Sequence, residues 1–245
     1  MHEGDAPVRV NFARPFPIFP LDTVVLLPHA TIRLYIFEPR YRQLVSHILD
    51  SNGQFALAVF DGDAWKHHYE GSPPIRRAVC VGHIVRHEGF PDGTAKIWVR
   101  GLCRASIVDE HEPDADRLYR TARLRPFPSP PPPAHQIDPG AIELILGRLR
   151  QRPLGDLPAV RGVLERVRAT DDAQVPADAS AVLDLVSLGV LAGLGDRDLL
   201  YEILATPDPA HRTGLVVSRL EELRSILHRV DLQFDADAPF GVSWN

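Results

Sequence analysis

Residues 16–28 read FPIFPLDTVVLLP, two short apolar runs that prolines bracket. The runs are rich in β-branched and aromatic residues, which favour β-strands. Proline donates no backbone N–H and is therefore confined to strand edges and ends. The stretch predicts one strand at Phe16–Phe19 and a second at Thr23–Leu27.

More strand patterns follow this stretch, and one helix interrupts them. The helix is expected from Glu38 to Ser51, with Pro39 in its first turn and apolar residues at helical spacing on one face. The turn Asp92-Gly93 predicts a hairpin, because glycine supplies the positive φ that tight turns need. Many short strands around one helix predict a closed or nearly closed barrel. The further strands are expected at Thr31–Phe37, Phe55–Phe60, Val79–Val85, Thr94–Val99, Cys103–Val108 and Leu118–Leu124.

The composition changes at residues 126–133, which read PFPSPPPP. Such a run favours an extended spacer, and a ligand for an SH3-like partner is the alternative. Everything after it has helical periodicity. The last helix, 210–230, carries a leucine and valine seam that suits packing on neighbouring helices, with a coiled-coil dimer as the alternative. We predict a tail at 1–14, a β domain at 15–125, a linker at 126–139, a helical subdomain at 140–230 and a tail at 231–245.

Composition bounds the class of protein. The 245 residues are 44% hydrophobic and 24% charged, which is typical of a globular chain rather than a disordered one. Two cysteines argue against a disulfide scaffold, and no export or membrane signal is present, so we expect a cytoplasmic protein with no membrane partner. The net charge of −5 disfavours nucleic acid as a partner, although local basic patches stay open.

The motifs of common catalytic sites are missing. A phosphate loop needs Gly-Lys, and the chain contains no such pair. A Ser–Lys dyad would have to use Lys66 or Lys96, and no serine stands obviously beside either lysine. Cys80, His83 and His87 are candidate metal ligands, but alternation along a strand puts Cys80 and His83 on opposite faces, with His83 and His87 together. We expect no catalytic residue, no metal and no cofactor.

Several motifs resemble the Lon N-terminal domain family. The first is the proline-bracketed stretch at residues 16–28, and the next is LYIFEPRY at 34–41. The most specific are GHIV at 82–85, PDGTAKI at 91–97 and VRGLCR at 99–104, and the helical half adds LLYEIL at 199–204 with Arg212 and Leu215. The resemblance spans about Pro15 to Val230. It implies an α+β fold in which a PUA-like β pseudo-barrel precedes an α-helical bundle.

The resemblance also implies a function. The whole protease continues into an ATPase module and a Ser–Lys peptidase domain, and the resemblance in these 245 residues extends to neither. The chain therefore resembles the stand-alone substrate-binding-domain proteins of bacteria. That implies a non-catalytic module that binds unfolded or apolar polypeptide segments, as an adaptor for a separate ATP-dependent protease. Trp65, Tyr69 and Phe90, aromatics in polar loops, are the candidate contacts. The alternative for each is packing beneath its own loop.

Two other functions remain as alternatives. One is RNA binding, because PUA-like barrels elsewhere bind RNA. The arginines that would form its basic patch are Arg76, Arg77, Arg86, Arg100 and Arg104. The net charge and the lack of a basic stripe with interleaved aromatics weigh against it. The other alternative is a hydrolase, which the missing motifs disfavour.

Overall fold

The computed structural model describes residues 8–67, 72–127, 139–172 and 179–233. Within these residues the chain forms six β-strands and six α-helices, so the expected α+β class is confirmed. The strands are β1 (Phe16–Leu21), β2 (Thr31–Ile36), β3 (Gln54–Val59), β4 (Ala78–Gly89), β5 (Ala95–His111) and β6 (Thr121–Pro126). The helices are α1 (Pro39–Leu49), α2 (Pro139–Arg150), α3 (Pro158–Asp172), α4 (Ala179–Val186), α5 (Arg197–Ala205) and α6 (Pro209–Gln233). None of the helices in these ranges has the length and apolarity to cross a membrane.

The strands form one mixed sheet that closes on itself. Its order is β2-β5-β4-β3-β1-β6, and a further pairing of β5 with β6 closes the ring. β1 and β3 are parallel, and the other neighbours are antiparallel. β5 has 17 residues, so its first half pairs with β2 and its second half with β6. β2 therefore extends the sheet beyond the barrel as an edge strand.

Two apolar cores lie on the two faces of the sheet. The barrel interior is lined by Phe16, Ile18 and Phe60 together with small residues such as Ala56 and Ala105. The larger core lies between the opposite sheet face and the helices. α1 contributes to it through Tyr41, Leu44, Val45 and Ile48, the stripe that the sequence periodicity predicts. The expected helix thus packs on the sheet as anticipated.

The segment Thr23–Leu27 is not a strand, which corrects one expectation. Its apolar residues Val25, Leu26 and Leu27 are nevertheless fully buried in the larger core. The physical reason is that β1 already pairs with β3 on one side and β6 on the other, so no ladder position beside it is left. The segment fills the core as a loop. A second correction is that Thr94–Val99 and Cys103–Val108 belong to one continuous strand, β5.

The helical half packs on itself and on the barrel. In α6, Val216, Leu220 and Leu223 of the predicted seam are buried within the larger core. The predicted linker at 126–139 falls largely on residues 128–138, which lie outside the described residues, so the domain boundaries stay a prediction.

A buried ion pair joins the barrel to the helices. Arg104 of β5 donates two hydrogen bonds to Asp184 of α4, at 3.1 and 2.5 Å, and both side chains are excluded from solvent. Nearby, the Ala78 amide donates to the Tyr201 hydroxyl at 3.0 Å. Burial raises the pKa of the Cys80 thiol well above its ordinary value, so this thiol stays protonated near neutral pH.

Candidate functional site

The structure describes two of the three predicted contact residues, Trp65 and Phe90, and their surroundings differ. Trp65 lies in a short 3-10 helix, Ala64–Lys66, and its ring stacks on Phe60 with centroids 5.7 Å apart and planes inclined by 14°. The ring is half-buried and packs against the barrel core. This placement favours packing of Trp65 beneath its own loop. Tyr69 lies outside the described residues.

Phe90 lies at the tip of the β4–β5 hairpin. Its amide donates to the Thr94 carbonyl and its carbonyl accepts from the Gly93 amide, both at 2.9 Å. Gly93 has φ of +78°, as the Asp-Gly turn predicts. The Phe90 ring is half-buried, with its centroid 6.5 Å from that of Tyr35 on the neighbouring part of β2.

Two exposed aromatics join Phe90 and complete an apolar surface, which we call the hairpin aromatic patch (Tyr35, Phe37 and Phe90). The exposed fractions of Tyr35 and Phe37 are 53% and 60%, and their rings stack with centroids 6.1 Å apart. Alternation along β2 explains their exposure, because Leu34 and Ile36 point into the core between them. Exposed rings in contact with one another are a candidate binding surface.

The polar groups around the patch hold its geometry. The Tyr35 hydroxyl donates to Thr94 Oγ1 at 3.0 Å, and Asp92 accepts from the Thr94 hydroxyl at 2.7 Å and the Thr94 amide at 2.9 Å. The hydrogen bond from the Thr94 hydroxyl, followed by that from its amide, lowers the pKa of Asp92. The Asp92 carboxylate is therefore charged at neutral pH, where it accepts both hydrogen bonds from Thr94 and orders the turn. Lys96 Nζ lies 5.0 Å from the Phe90 ring centroid, a cation–π contact.

The patch lies beside a free sheet edge. β2 is at one end of the strand order and hydrogen-bonds to β5 alone among the described strands. An edge strand offers unpaired N–H and C=O groups that an extended peptide can pair with. Tyr35 belongs to this strand and Phe37 follows its last residue. The surface thus combines apolar rings with a backbone template for a peptide.

Sequence reasoning identified Phe90 but missed Tyr35 and Phe37. The signal was present, because the strand pattern TIRLYI alternates and places Tyr35 on the face opposite Leu34 and Ile36. What the sequence did not contain was the pairing of β2 with β5. That pairing brings Tyr35 opposite Lys96 and next to the hairpin tip.

The candidate metal ligands do not converge. A β-bulge at Val85 changes the alternation of β4, so His83 pairs with the outward-facing Arg100 whereas His87 pairs with the inward-facing Ile97. The expectation that His83 and His87 share a face is therefore wrong. In the part of the chain that the structure describes, no three His, Cys, Asp or Glu side chains are grouped to hold a metal ion.

The arginines named for RNA binding do not form one patch. Arg104 is buried against Asp184, and Arg76 pairs with Asp198 at 2.9 Å while its guanidinium lies over the Tyr201 ring. Arg86 and Arg100 instead lie on exposed positions of β4 and β5.

Comparison with known families gives a clear match. Residues 15–222 match the model of the family described as the ATP-dependent protease La (LON) substrate-binding domain. The match covers the barrel, the helices and most of α6.

Individual relatives agree with the family match. The chain is 24% identical over 222 residues to Lon protease 2 of Herpetosiphon aurantiacus, which covers 89% of this chain and 25% of that protein. It is 30% identical over 117 residues to Lon protease of Dictyoglomus thermophilum, covering 46% of this chain and 14% of that protein. The chain thus spans at most about a quarter of the length of these curated relatives.

Solved structures show the same fold. The Lon N-terminal domain protein from Xanthomonas campestris superposes with a TM-score of 0.55 at 22% identity, covering 84% of this chain and 98% of that one. The N-terminal domain of Mycobacterium avium complex Lon protease superposes with a TM-score of 0.55 at 16% identity, covering 85% of this chain and 99% of that one.

Proposed function

The chain belongs to the ATP-dependent protease La (LON) substrate-binding domain family, and from this premise we propose that it binds polypeptide segments that expose apolar side chains. We further propose that it does so without catalysing a reaction and that it presents these segments to a separate ATP-dependent protease. The observation that carries the proposal is the hairpin aromatic patch beside the free edge of β2.

The energetics of the patch suit transient capture. Burying apolar surface contributes roughly 25 cal/mol per Å², so covering about 100 Å² of aromatic surface contributes roughly 2.5 kcal/mol. Strand addition at the β2 edge would add main-chain hydrogen bonds that do not depend on side-chain sequence. A surface of this kind suits unfolded segments of varied sequence.

The surroundings of the two lysines support a non-catalytic role. Lys66 pairs with Asp63 at 2.8 Å on an exposed turn, and Lys96 lies over the Phe90 ring. A Ser–Lys dyad needs a desolvated lysine beside a serine hydroxyl, so that the amine is neutral and can act as a base. Both lysines are instead engaged with other partners, Asp63 and the Phe90 ring.

We expect the purified chain neither to hydrolyse ATP nor to cleave casein. The reason is the missing phosphate loop together with the engaged lysines. The measurement is phosphate release and casein fragmentation by the chain alone. Casein cleavage that survives purification and disappears on Lys96→Ala would contradict the non-catalytic role. Faster casein degradation when the chain is added to an ATP-dependent protease would support the adaptor role.

Replacing Phe37 by serine is expected to weaken capture of an unfolded polypeptide by about fivefold or more, because interface aromatics commonly contribute a kcal/mol or more. The probe is reduced, carboxymethylated α-lactalbumin, and the measurement is a binding isotherm with a melting curve on the same sample. Because Phe37 is 60% exposed, the melting temperature should stay close to that of the wild type.

The matched control for this experiment is Leu144→Ser on α2. Leu144 is 50% exposed and lies in the helical half, so its loss removes a similar apolar group outside the patch. Trp65→Ala is a second control, expected to lower the free energy of unfolding by about 1–3 kcal/mol without weakening capture. Unchanged affinity in both Phe37→Ser and Phe90→Ser would exclude the patch as the binding surface.

A further inference from the structure

The β2, β5 and β4 strands align three rows of outward-facing side chains. Directly paired residues in a sheet point to the same side, so the strand register defines the rows. Arg33 of β2 and Arg86 of β4 both pair with Trp98 of β5 and form the central row. We call this surface the Trp98 face; its remaining rows are Tyr35, Lys96 and Glu88 on one side and Thr31, Arg100 and His83 on the other.

The Trp98 face is open to solvent. It lies opposite the face that α1 covers, since Leu34, Ile97 and Val99 of the same strands point into the larger core. Arg33, Arg86 and Arg100 are exposed, and Trp98 is half-exposed. The bulge at Val85 matters here, because it turns Arg86 outward to meet Trp98.

The local charge of this face opposes that of the whole chain. It carries the cations Arg33, Arg86, Lys96 and Arg100, and Glu88 is the one carboxylate among the described residues of its three rows, while the chain has a net charge of −5. The Glu88 carboxylate lies 3.9 Å from Arg86, at the limit of an ion pair. A cluster of cations on an acidic protein produces a local field that attracts polyanions.

Planar groups are interleaved with these cations. The Arg86 guanidinium lies over the Trp98 ring, 4.4 Å from its centroid. Tyr35 extends the aromatic surface toward the hairpin tip. Indole, phenol and guanidinium planes are the groups on which unpaired bases stack, and neighbouring arginines bind phosphates.

We infer that the Trp98 face binds single-stranded nucleic acid. The phosphates contact Arg33, Lys96 and Arg100, and bases stack on the Trp98–Arg86 pair. A single strand is favoured over a duplex because a nearly flat sheet face reaches bases only where they are unpaired. It is favoured over an acidic polypeptide because carboxylates would pair with the cations but would not stack on the aromatic rings. The inference does not depend on the proposed capture of polypeptides.

The test uses the full chain and fluorescein-labelled oligo(U) and oligo(dT) of 20 nucleotides, with fluorescence anisotropy at low salt. We expect Arg33→Glu and Arg100→Glu each to weaken binding by about tenfold. Trp98→Leu should weaken it by about fivefold or more through lost stacking, and Trp98→Phe should restore most of that loss. Tighter oligo(U) binding would identify RNA as the natural ligand and tighter oligo(dT) binding would identify DNA.

Controls distinguish binding at this face from non-specific electrostatic binding and from an affinity loss that misfolding causes. Arg150→Glu makes the same charge change at an exposed position of α2 and should leave affinity within about twofold, because the charge lies away from the site. Melting curves on every variant report whether it is folded. The affinity should fall with salt at a log–log slope of about −2, as three phosphate contacts on a single strand predict.

Three results would overturn the inference. The first is equal binding of the oligonucleotides by wild type and by Arg33→Glu and Arg100→Glu. The second is binding of a polyglutamate peptide of matching charge as tight as that of oligo(U) and oligo(dT). The third is an unchanged affinity in folded Trp98→Leu. Capture of unfolded α-lactalbumin, measured on the same variants, reports separately on the hairpin aromatic patch.

Discussion

Replacing Asp184 by asparagine is expected to lower the free energy of unfolding by about 3–5 kcal/mol. Asparagine has nearly the same volume, so the change removes the charge while it preserves packing. It leaves the Arg104 guanidinium buried between the barrel and α4 without its carboxylate, at a site from which water is excluded. The cost of an uncompensated buried charge is the physical reason for the large effect. The measurement is urea unfolding followed by circular dichroism.

The matched control is Asp198→Asn. Asp198 pairs with Arg76 at 2.9 Å, but the Asp198 side chain is 73% exposed, so we expect a loss below about 1 kcal/mol. The double variant Arg104→Met/Asp184→Leu removes both charges and should recover most of the stability, because apolar groups of similar volume commonly replace a buried pair without loss. Equal effects of Asp184→Asn and Asp198→Asn would contradict this account.

Replacing Gly101 by alanine is expected to lower the free energy of unfolding by about 3 kcal/mol. A Cβ atom at this position would meet the Leu27 carbonyl oxygen at 2.2 Å and its carbon at 2.9 Å. Because both of these Leu27 atoms belong to the backbone, no side-chain rotation can relieve the clash. Hydrogen bonds of 2.9 Å from the His29 amide to the Gly101 carbonyl and from the Gly101 amide to the Ala30 carbonyl hold the two segments together. The urea midpoint reports the loss.

Gly147→Ala is the control for this substitution. Gly147 lies in α2, and a Cβ there would meet no atom within 4 Å. Alanine is favoured over glycine in a helix by about 1 kcal/mol, so this variant should be slightly more stable than the wild type. If Gly101→Ala unfolds at the same urea midpoint as the wild type, the backbone around Leu27 shifts to admit the Cβ at little cost in stability, which contradicts the prediction.

Local patterns predicted much of the fold. The α1 stripe and the Asp92-Gly93 turn depend on neighbours in sequence, and both occur as expected. The strand prediction at Thr23–Leu27 failed for a non-local reason. Both edges of β1 are already paired, one with β3 and the other with β6, so this β-branched run has no strand edge of β1 to pair with. An apolar run predicts burial better than it predicts strand pairing.

The candidate sites were less predictable because register creates them. Arg33 and Arg86 both pair with Trp98, yet they lie far apart in sequence, and a bulge at Val85 is needed to bring Arg86 to the correct face. Arg104 and Asp184 are 80 positions apart, so neither shows its partner in the sequence. Phe90 could be identified because the turn that exposes it is local.

The position of β1 between β3 and β6 has a consequence for how the protein is made. Of the described strands β1 is synthesised first, yet one of its partners, β6, begins only at Thr121. The barrel therefore cannot close on a growing chain until β6 has been translated, and β1 keeps one edge unpaired until then. Unpaired strand edges are where nascent chains associate wrongly. We therefore expect the β6-facing edge of β1 to be the place where a partly synthesised chain associates wrongly.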